Sequence, residues 1–253
     1  MRHYVRMTMH RPDSRPNYSR TRYGHLLSAA VLALSVVLSG CSTKETPPPT
    51  ATPDAQTVPA LTGTVGAAHL DEGFVQIGSG TKTVDLYVDP MCPYCKLFEE
   101  TSGPMLFAEA ANGTATLRVH PLAILNRLSN GSMYSTRAAA ILTAIAAEQP
   151  EKTQPFLVAL YQNQPAEETV GITDNDLIAI AKTVGFEGTL TQEHLAPYRA
   201  WVDQHTAQAT AGPLPTTREV FAVQQVPTVI VNGAVFPGNS DQGAAFASFY
   251  ASK

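Results

Sequence analysis

The feature that most constrains this chain is Cys92-Pro93-Tyr94-Cys95, set where a strand-like run gives way to a helix-like one. Val84, Leu86 and Val88 alternate with other residues upstream, and Lys96-Leu97-Phe98-Glu99-Glu100 reads as helix downstream. Two cysteines separated by two residues can close a small disulfide ring. At a helix N-terminus, the unpaired backbone N–H groups and the positive dipole end stabilise a thiolate on the first of them. A stabilised thiolate leaves readily, so the ring disulfide is easy to reduce. The chemistry this arrangement favours is thiol–disulfide exchange.

The first 40 residues read as a signal segment. Arg15, Arg20 and Arg22 precede an apolar run of 15 residues from Leu26 to Gly40. A spanning helix needs about 20. The run ends Leu38-Ser39-Gly40-Cys41, which resembles a bacterial lipobox and makes Cys41 the expected lipidation site. The protein is then expected to be exported and held at a membrane of the cell envelope, facing the periplasm or another extracytoplasmic space. An ordinary secretory signal or an uncleaved anchor would also export the domain.

The chain has three cysteines, so lipidation of Cys41 leaves only the Cys92/Cys95 pair. No structural disulfide is then available to the domain, and an isolated pair in an oxidising compartment points to catalysis. A structural zinc site needs about four N or S ligands. The sequence has no second C-x-x-C and no H-x3-5-H, and no metal is expected. From Cys41 onward, 20 Asp and Glu stand against 11 Lys and Arg, a net charge of −9. That acidity argues against nucleic acid and against a cationic membrane-binding face.

Residues 41–67 read as the lipidated cysteine followed by a Thr/Pro/Ala-rich tether, with little to bury. Residues 68–253 are enough for one domain with a sizeable core. Phe74-Val75-Gln76-Ile77 predicts a first strand, turned back by Gly78-Ser79-Gly80, and Thr83 to Asp89 a second. The helix after Cys95 is expected to kink or break at Gly103-Pro104 and to stop at Asn112-Gly113. Thr114 to Val119 predicts the next strand. From about 126 to 215 the pattern is helical, and Thr173-Asp174-Asn175-Asp176 resembles a capping box. Val226 to Val231 and Ala234 to Phe236, joined by Asn232-Gly233, predict a hairpin, and Ala244 to Tyr250 a closing helix.

In this order of elements the chain resembles the DsbA-like branch of the thioredoxin superfamily. The residues that carry the resemblance are Asp89-Pro90-Met91-Cys92-Pro93-Tyr94-Cys95, His120-Pro121-Leu122, and Val226-Pro227-Thr228 ahead of the Asn-Gly hairpin. The resemblance implies an α/β thioredoxin fold with an inserted all-helical subdomain. It implies a nucleophilic, exposed Cys92 and a less exposed resolving Cys95. Pro93 and Tyr94 would tune the Cys92 thiol, and Pro93 suits a first helical turn, where its missing N–H costs nothing. Val226, Pro227 and Thr228 would form the substrate-binding loop, with a cis Val226–Pro227 bond. Many thioredoxin-like proteins carry a buried acid six residues before the first cysteine. Leu86 stands there instead. Asp85 points to the opposite strand face. Asp89 either substitutes or is exposed, and water, Glu99 and Glu100 are the other routes for the Cys95 proton.

The function expected is that of an oxidase donating a disulfide to reduced or unfolded exported proteins. It would use no cofactor beyond the Cys92–Cys95 disulfide and would be reoxidised by a membrane quinone-linked partner. A monomer is expected. Dimeric isomerases of the superfamily add an N-terminal dimerisation domain, and the roughly 30 residues between Cys41 and the first strand disfavour that class. Isomerase or reductase activity on the same fold, and a non-catalytic protein-binding lipoprotein, are the alternatives.

Overall fold

The structure is a computed structural model that describes residues 58–253. The signal segment, Cys41 and most of the expected tether lie outside those residues.

Seven strands form one sheet: β1 (Thr64–Val65), β2 (Ala68–His69), β3 (Phe74–Gly78), β4 (Lys82–Val88), β5 (Ala115–Pro121), β6 (Thr228–Val231) and β7 (Ala234–Val235). Their order across the sheet is β1-β2-β3-β5-β4-β6-β7. Only β4 and β5 run parallel, and α1 (Pro93–Ala111) is the crossover between them. Such a connection needs a helix or a long loop, because parallel neighbours cannot be joined by a tight turn. Val84, Leu86 and Val88 face the main core together with Leu117 and Val119. Tyr87 and Ile230 point the other way, into a smaller core with Leu122, Ala209, Leu214 and Val223.

Between β5 and β6 lie a 3-10 turn (Ile124–Leu128), α2 (Tyr134–Glu148), α3 (Thr153–Gln162), α4 (Asp174–Thr183) and α5 (Gln192–Ala211). Asp174 ties this block together: it accepts from Arg137 of α2 at 2.6 Å and from Arg199 of α5 at 2.9 Å. Thr173 caps α4 as its sequence signature predicts, its hydroxyl accepting from the Asp176 N–H at 3.2 Å. The closing helix α6 (Gly243–Ser252) brings Phe246 against Phe98 of α1, with the ring centres 5.0 Å apart.

The structure corrects two local expectations. Residues 64–67, assigned by composition to the tether, are bound into the fold: β1 pairs with β2, and the Ala67 N–H donates to the Ala146 carbonyl at 2.8 Å. The helix after Cys95 does not break at Gly103-Pro104 but continues to Ala111. Pro104 and Glu100, the residue whose carbonyl loses its partner, are both exposed, while Ser102 and Gly103 are buried. Packing of the buried face against the sheet and α6 outweighs the ~3 kcal/mol that an interior proline costs.

Candidate redox site

β4 ends at Val88, and the chain turns through Asp89, Pro90 and Met91 into α1. Cys92 is the N-cap of that helix and Pro93 its first residue. Proline is favoured there because the first N–H groups of a helix have no intrahelical acceptor. Both cysteines are free thiols. Cys92 is less open than expected, at 4 % exposed against 1 % for Cys95. The loop ahead of β6 covers it, and the Cys92 thiol donates to the Val226 carbonyl at 3.3 Å. The Val226–Pro227 bond is cis.

The two thiols are driven in opposite directions. A hydrogen bond from the Cys95 side chain, aided by the backbone N–H groups of Cys95 and Tyr94, holds the Cys92 thiol below its ordinary range against the opposing effect of burial. Burial pushes Cys95 well above its ordinary range, and the hydrogen bond it gives to Cys92 raises it further. The Cys95 sulfur also accepts from the Asp89 backbone N–H at 3.5 Å. Of the two thiols, Cys92 is therefore the one that gives up its proton more readily, and Cys95 the one that keeps it.

The remaining residues named from sequence gather beside this pair. Tyr94, Val226, Pro227 and Thr228 line one groove of about 490 Å³, together with Phe98 and Phe236. Tyr94 is 65 % exposed at its rim, and Pro93 is exposed beside it.

Asp89 is not exposed: its side chain is fully buried and serves as a structural clamp. One carboxylate oxygen accepts from the Met91 N–H at 2.8 Å and from the Ser135 hydroxyl at 2.7 Å, and the other from the Leu125 N–H at 2.8 Å. Burial nevertheless dominates and pushes its carboxyl up to about 6. Asp85, also buried, lies on the opposite face of the sheet and pairs with His120 at 3.0 Å. Gln164 just beyond α3 was not singled out from sequence, yet its side-chain amide donates to the Pro90 carbonyl at 2.9 Å and the Cys92 carbonyl at 3.0 Å. Its only sequence signal is a polar residue at the end of an apolar helix, which many solvent-facing residues share. Among the described residues, no group of three or more His, Cys, Asp or Glu side chains could hold a metal ion. No described helix is long and apolar enough to cross a membrane.

Comparisons with known proteins agree with this geometry. The family model described as Thioredoxin matches residues 78–246. The oxidised DsbA of Mycobacterium tuberculosis is 28 % identical with a TM-score of 0.56, over 71 % of this chain and 91 % of that one. The reduced disulfide bond oxidoreductase DsbG of the same organism is 26 % identical with a TM-score of 0.55, over 70 % and 85 %. BdbD of Bacillus subtilis, at 18 % identity and a TM-score of 0.57 over 76 % and 98 %, shares the fold. Among curated proteins, 165 residues are 30 % identical to the serine/threonine-protein kinase PknE of Mycobacterium tuberculosis, over 63 % of this chain. The chain spans only 28 % of the length of that relative. With the family model covering most of the chain, the chain belongs to the thioredoxin family, and with DsbA and DsbG sharing its architecture it is DsbA-like in fold.

Proposed function

We propose that this protein is an exported oxidase that passes the Cys92–Cys95 disulfide to reduced substrate proteins. The observation that carries the reading is the opposed bias of the two thiols. Lowering the Cys92 thiol favours the reduced enzyme, and a disulfide whose reduced form is stabilised is the more oxidising. Cys92 is the sulfur that a substrate thiolate attacks, and Cys95 leaves and later closes the ring again. The groove formed by Tyr94, Val226, Pro227 and Thr228 suits an extended, unfolded segment, with backbone groups at Val226 offered beside the reactive sulfur.

The rest of the cycle follows from the resemblance. The substrates are unfolded or reduced exported proteins, and a membrane quinone-linked partner restores the disulfide. No cofactor beyond the cysteine pair takes part. Lipidation at Cys41 would hold a monomeric domain at the envelope membrane.

The experiment is equilibration of the Cys92/Cys95 pair with glutathione buffers. A reduction potential near about −120 mV supports the oxidase, and one near about −270 mV replaces it with a reductant. Cys92→Ser should abolish oxidation of a reduced test protein. Retained activity would remove Cys92 from the nucleophile's role.

A further inference from the structure

We propose that the face of the sheet turned away from the cysteines carries a second binding site, whose ligand is a small zwitterion with an apolar body, of the α-amino acid class. The cavity concerned shares no lining residue with the redox groove, so the inference goes beyond the oxidase reading and does not depend on it.

Strand alternation builds the cavity. Leu86 and Val88 face the main core, so Asp85 and Tyr87 face the other side of β4. The parallel register sets Arg118 of β5 beside Asp85, and His120 beside Tyr87 with the two rings stacked at 4.0 Å between centres. Phe74 of β3 meets the edge of the His120 ring on the same face. α5 brings His205, stacked on His120 with centres 6.0 Å apart. The loop after α5 adds Leu214 and Thr216, and the Thr216 and Tyr87 hydroxyls lie 3.0 Å apart. These residues line a cavity of about 490 Å³. Small-molecule sites span roughly 300–1,000 Å³.

Arg118 marks the cavity as a binding site. Its neighbour on β4, Asp85, is committed to His120, with Oδ1 3.0 Å from Nε2. Its neighbour on β3, Gln76, gives its amide to the Gly78 carbonyl at 2.9 Å. Arg118 is left with no ion pair and no side-chain hydrogen bond among the described residues, and its guanidinium lies 5.3 Å from the centre of the Phe74 ring. Of its three side-chain nitrogens only Nε is buried without a partner, so the two terminal ones are open to solvent, and Arg118 lines this cavity. The planar fork of a guanidinium matches a carboxylate.

A bare anion suits the rest of the wall less well. Asp71 and Glu72 also line the cavity. Glu72 has a partner in His69 at 3.5 Å, whereas Asp71 has no ion pair among the described residues. A ligand carrying only a carboxylate would be repelled by Asp71, and one that also carries an ammonium group can pair with it. His120 points the same way. It is 1 % exposed and lines the cavity, and Asp85 holds the proton at Nε2, which leaves Nδ1 as a lone pair without a partner. Buried polar atoms nearly always have a partner. The donor this nitrogen lacks is one that an ammonium group supplies. Phe74, Tyr87 and Leu214 offer apolar surface to a side chain. An α-amino acid carries the carboxylate, the ammonium group and the apolar body on one carbon.

The test is calorimetric titration of the full chain with L-phenylalanine, N-acetyl-phenylalanine, which lacks the ammonium group, and phenylalanine amide, which lacks the carboxylate. Trp201 is the chain's single tryptophan and stacks on His205 with ring centres 5.2 Å apart, so its fluorescence places the ligand. Phenylalanine should bind saturably with a Kd at or below about 1 mM, and the Trp201 emission should follow the same isotherm. Each blocked analogue should bind roughly tenfold or more weakly. Arg118→Met should weaken phenylalanine by a similar factor, while dithiothreitol reduces its Cys92–Cys95 disulfide at the wild-type rate. Asp71→Asn alters an exposed residue and keeps the test open if Arg118→Met does not fold. It should weaken phenylalanine and leave N-acetyl-phenylalanine unchanged. Absence of saturable binding of all three compounds up to about 10 mM overturns the site. Binding that neither substitution alters overturns its placement at Arg118 and Asp71. Equal binding of phenylalanine and N-acetyl-phenylalanine overturns the zwitterion.

Discussion

Asp89→Asn separates the charge of the buried clamp from its shape. Moving a carboxyl from 3.8 to about 6 means that the folded state holds a proton which the unfolded chain has released. At about 1.36 kcal/mol per pKa unit, this is roughly 3 kcal/mol. The sign follows from the raised value. The contribution is fully present below pH 4 and is lost as the pH climbs through 6. Asparagine has no charge to bury and so has no such slope. It does place an amide NH2 where one of the three donors from Met91, Leu125 and Ser135 now points, a pH-independent cost of about 1–3 kcal/mol.

The assay is urea unfolding at pH 4 and pH 7 under excess reductant. The variant should be less stable than wild type at pH 4, and the gap should shrink by roughly 3 kcal/mol, or reverse, at pH 7. The difference between the two proteins is the quantity to read, because His205 works against Asp89 in the same window. Burial lowers His205 to about 4, so its contribution is gained as the pH rises from 4 to 6.5. It is common to both proteins and cancels. A gap of equal size at both pH values would refute the claim that burial outweighs the three hydrogen bonds.

Two further substitutions test the surroundings. Gly73 has φ +78, and a Cβ there would lie 1.5 Å from Cε1 of His205, whose ring stacks on Trp201 with centres 5.2 Å apart. Gly73→Ala should therefore cost roughly 2–4 kcal/mol in urea unfolding, from overpacking together with left-handed strain. A loss below about 1 kcal/mol would show that the ring moves aside freely. Gln164→Ala removes the donor to the Pro90 and Cys92 carbonyls and should cost about 1–3 kcal/mol. It should also speed alkylation of Cys92 by iodoacetamide by loosening the turn that carries it; unchanged stability and alkylation would make the clamp incidental.

The parts of this fold that are legible in sequence are those decided within a few residues. Asn232-Gly233 has φ values of 47 and 86, the two left-handed positions of a two-residue hairpin turn, and asparagine and glycine tolerate them best. Thr173 caps its helix through a contact three residues long. Cys92-Pro93 opens α1 for equally local reasons. β1 and β2 are different: two-residue strands have no period to detect, and they exist because β3 and the Ala146 carbonyl give their backbone a partner. The continuation of α1 through Pro104 likewise depends on which side of the helix meets water.

The same distinction divides the redox site. Local rules set the sulfurs at the end of a helix, but the groups that hold and bias them arrive from far along the chain. Leu125 and Ser135 reach Asp89 from 36 and 46 residues away, and Gln164 reaches the Cys92 carbonyl across 72. Tyr161 stands at a small cavity beneath Cys95. All four lie between β5 and β6, within the helical block. That block therefore supplies hydrogen-bond partners to the loop carrying Cys92 and a wall of the space under Cys95, so a change in how α2 and α3 pack should register in the cysteine chemistry. An amphipathic stripe reveals that such helices bury one face. It carries no information about which few polar groups on that face find the sulfur, because those contacts come into being only when the block docks.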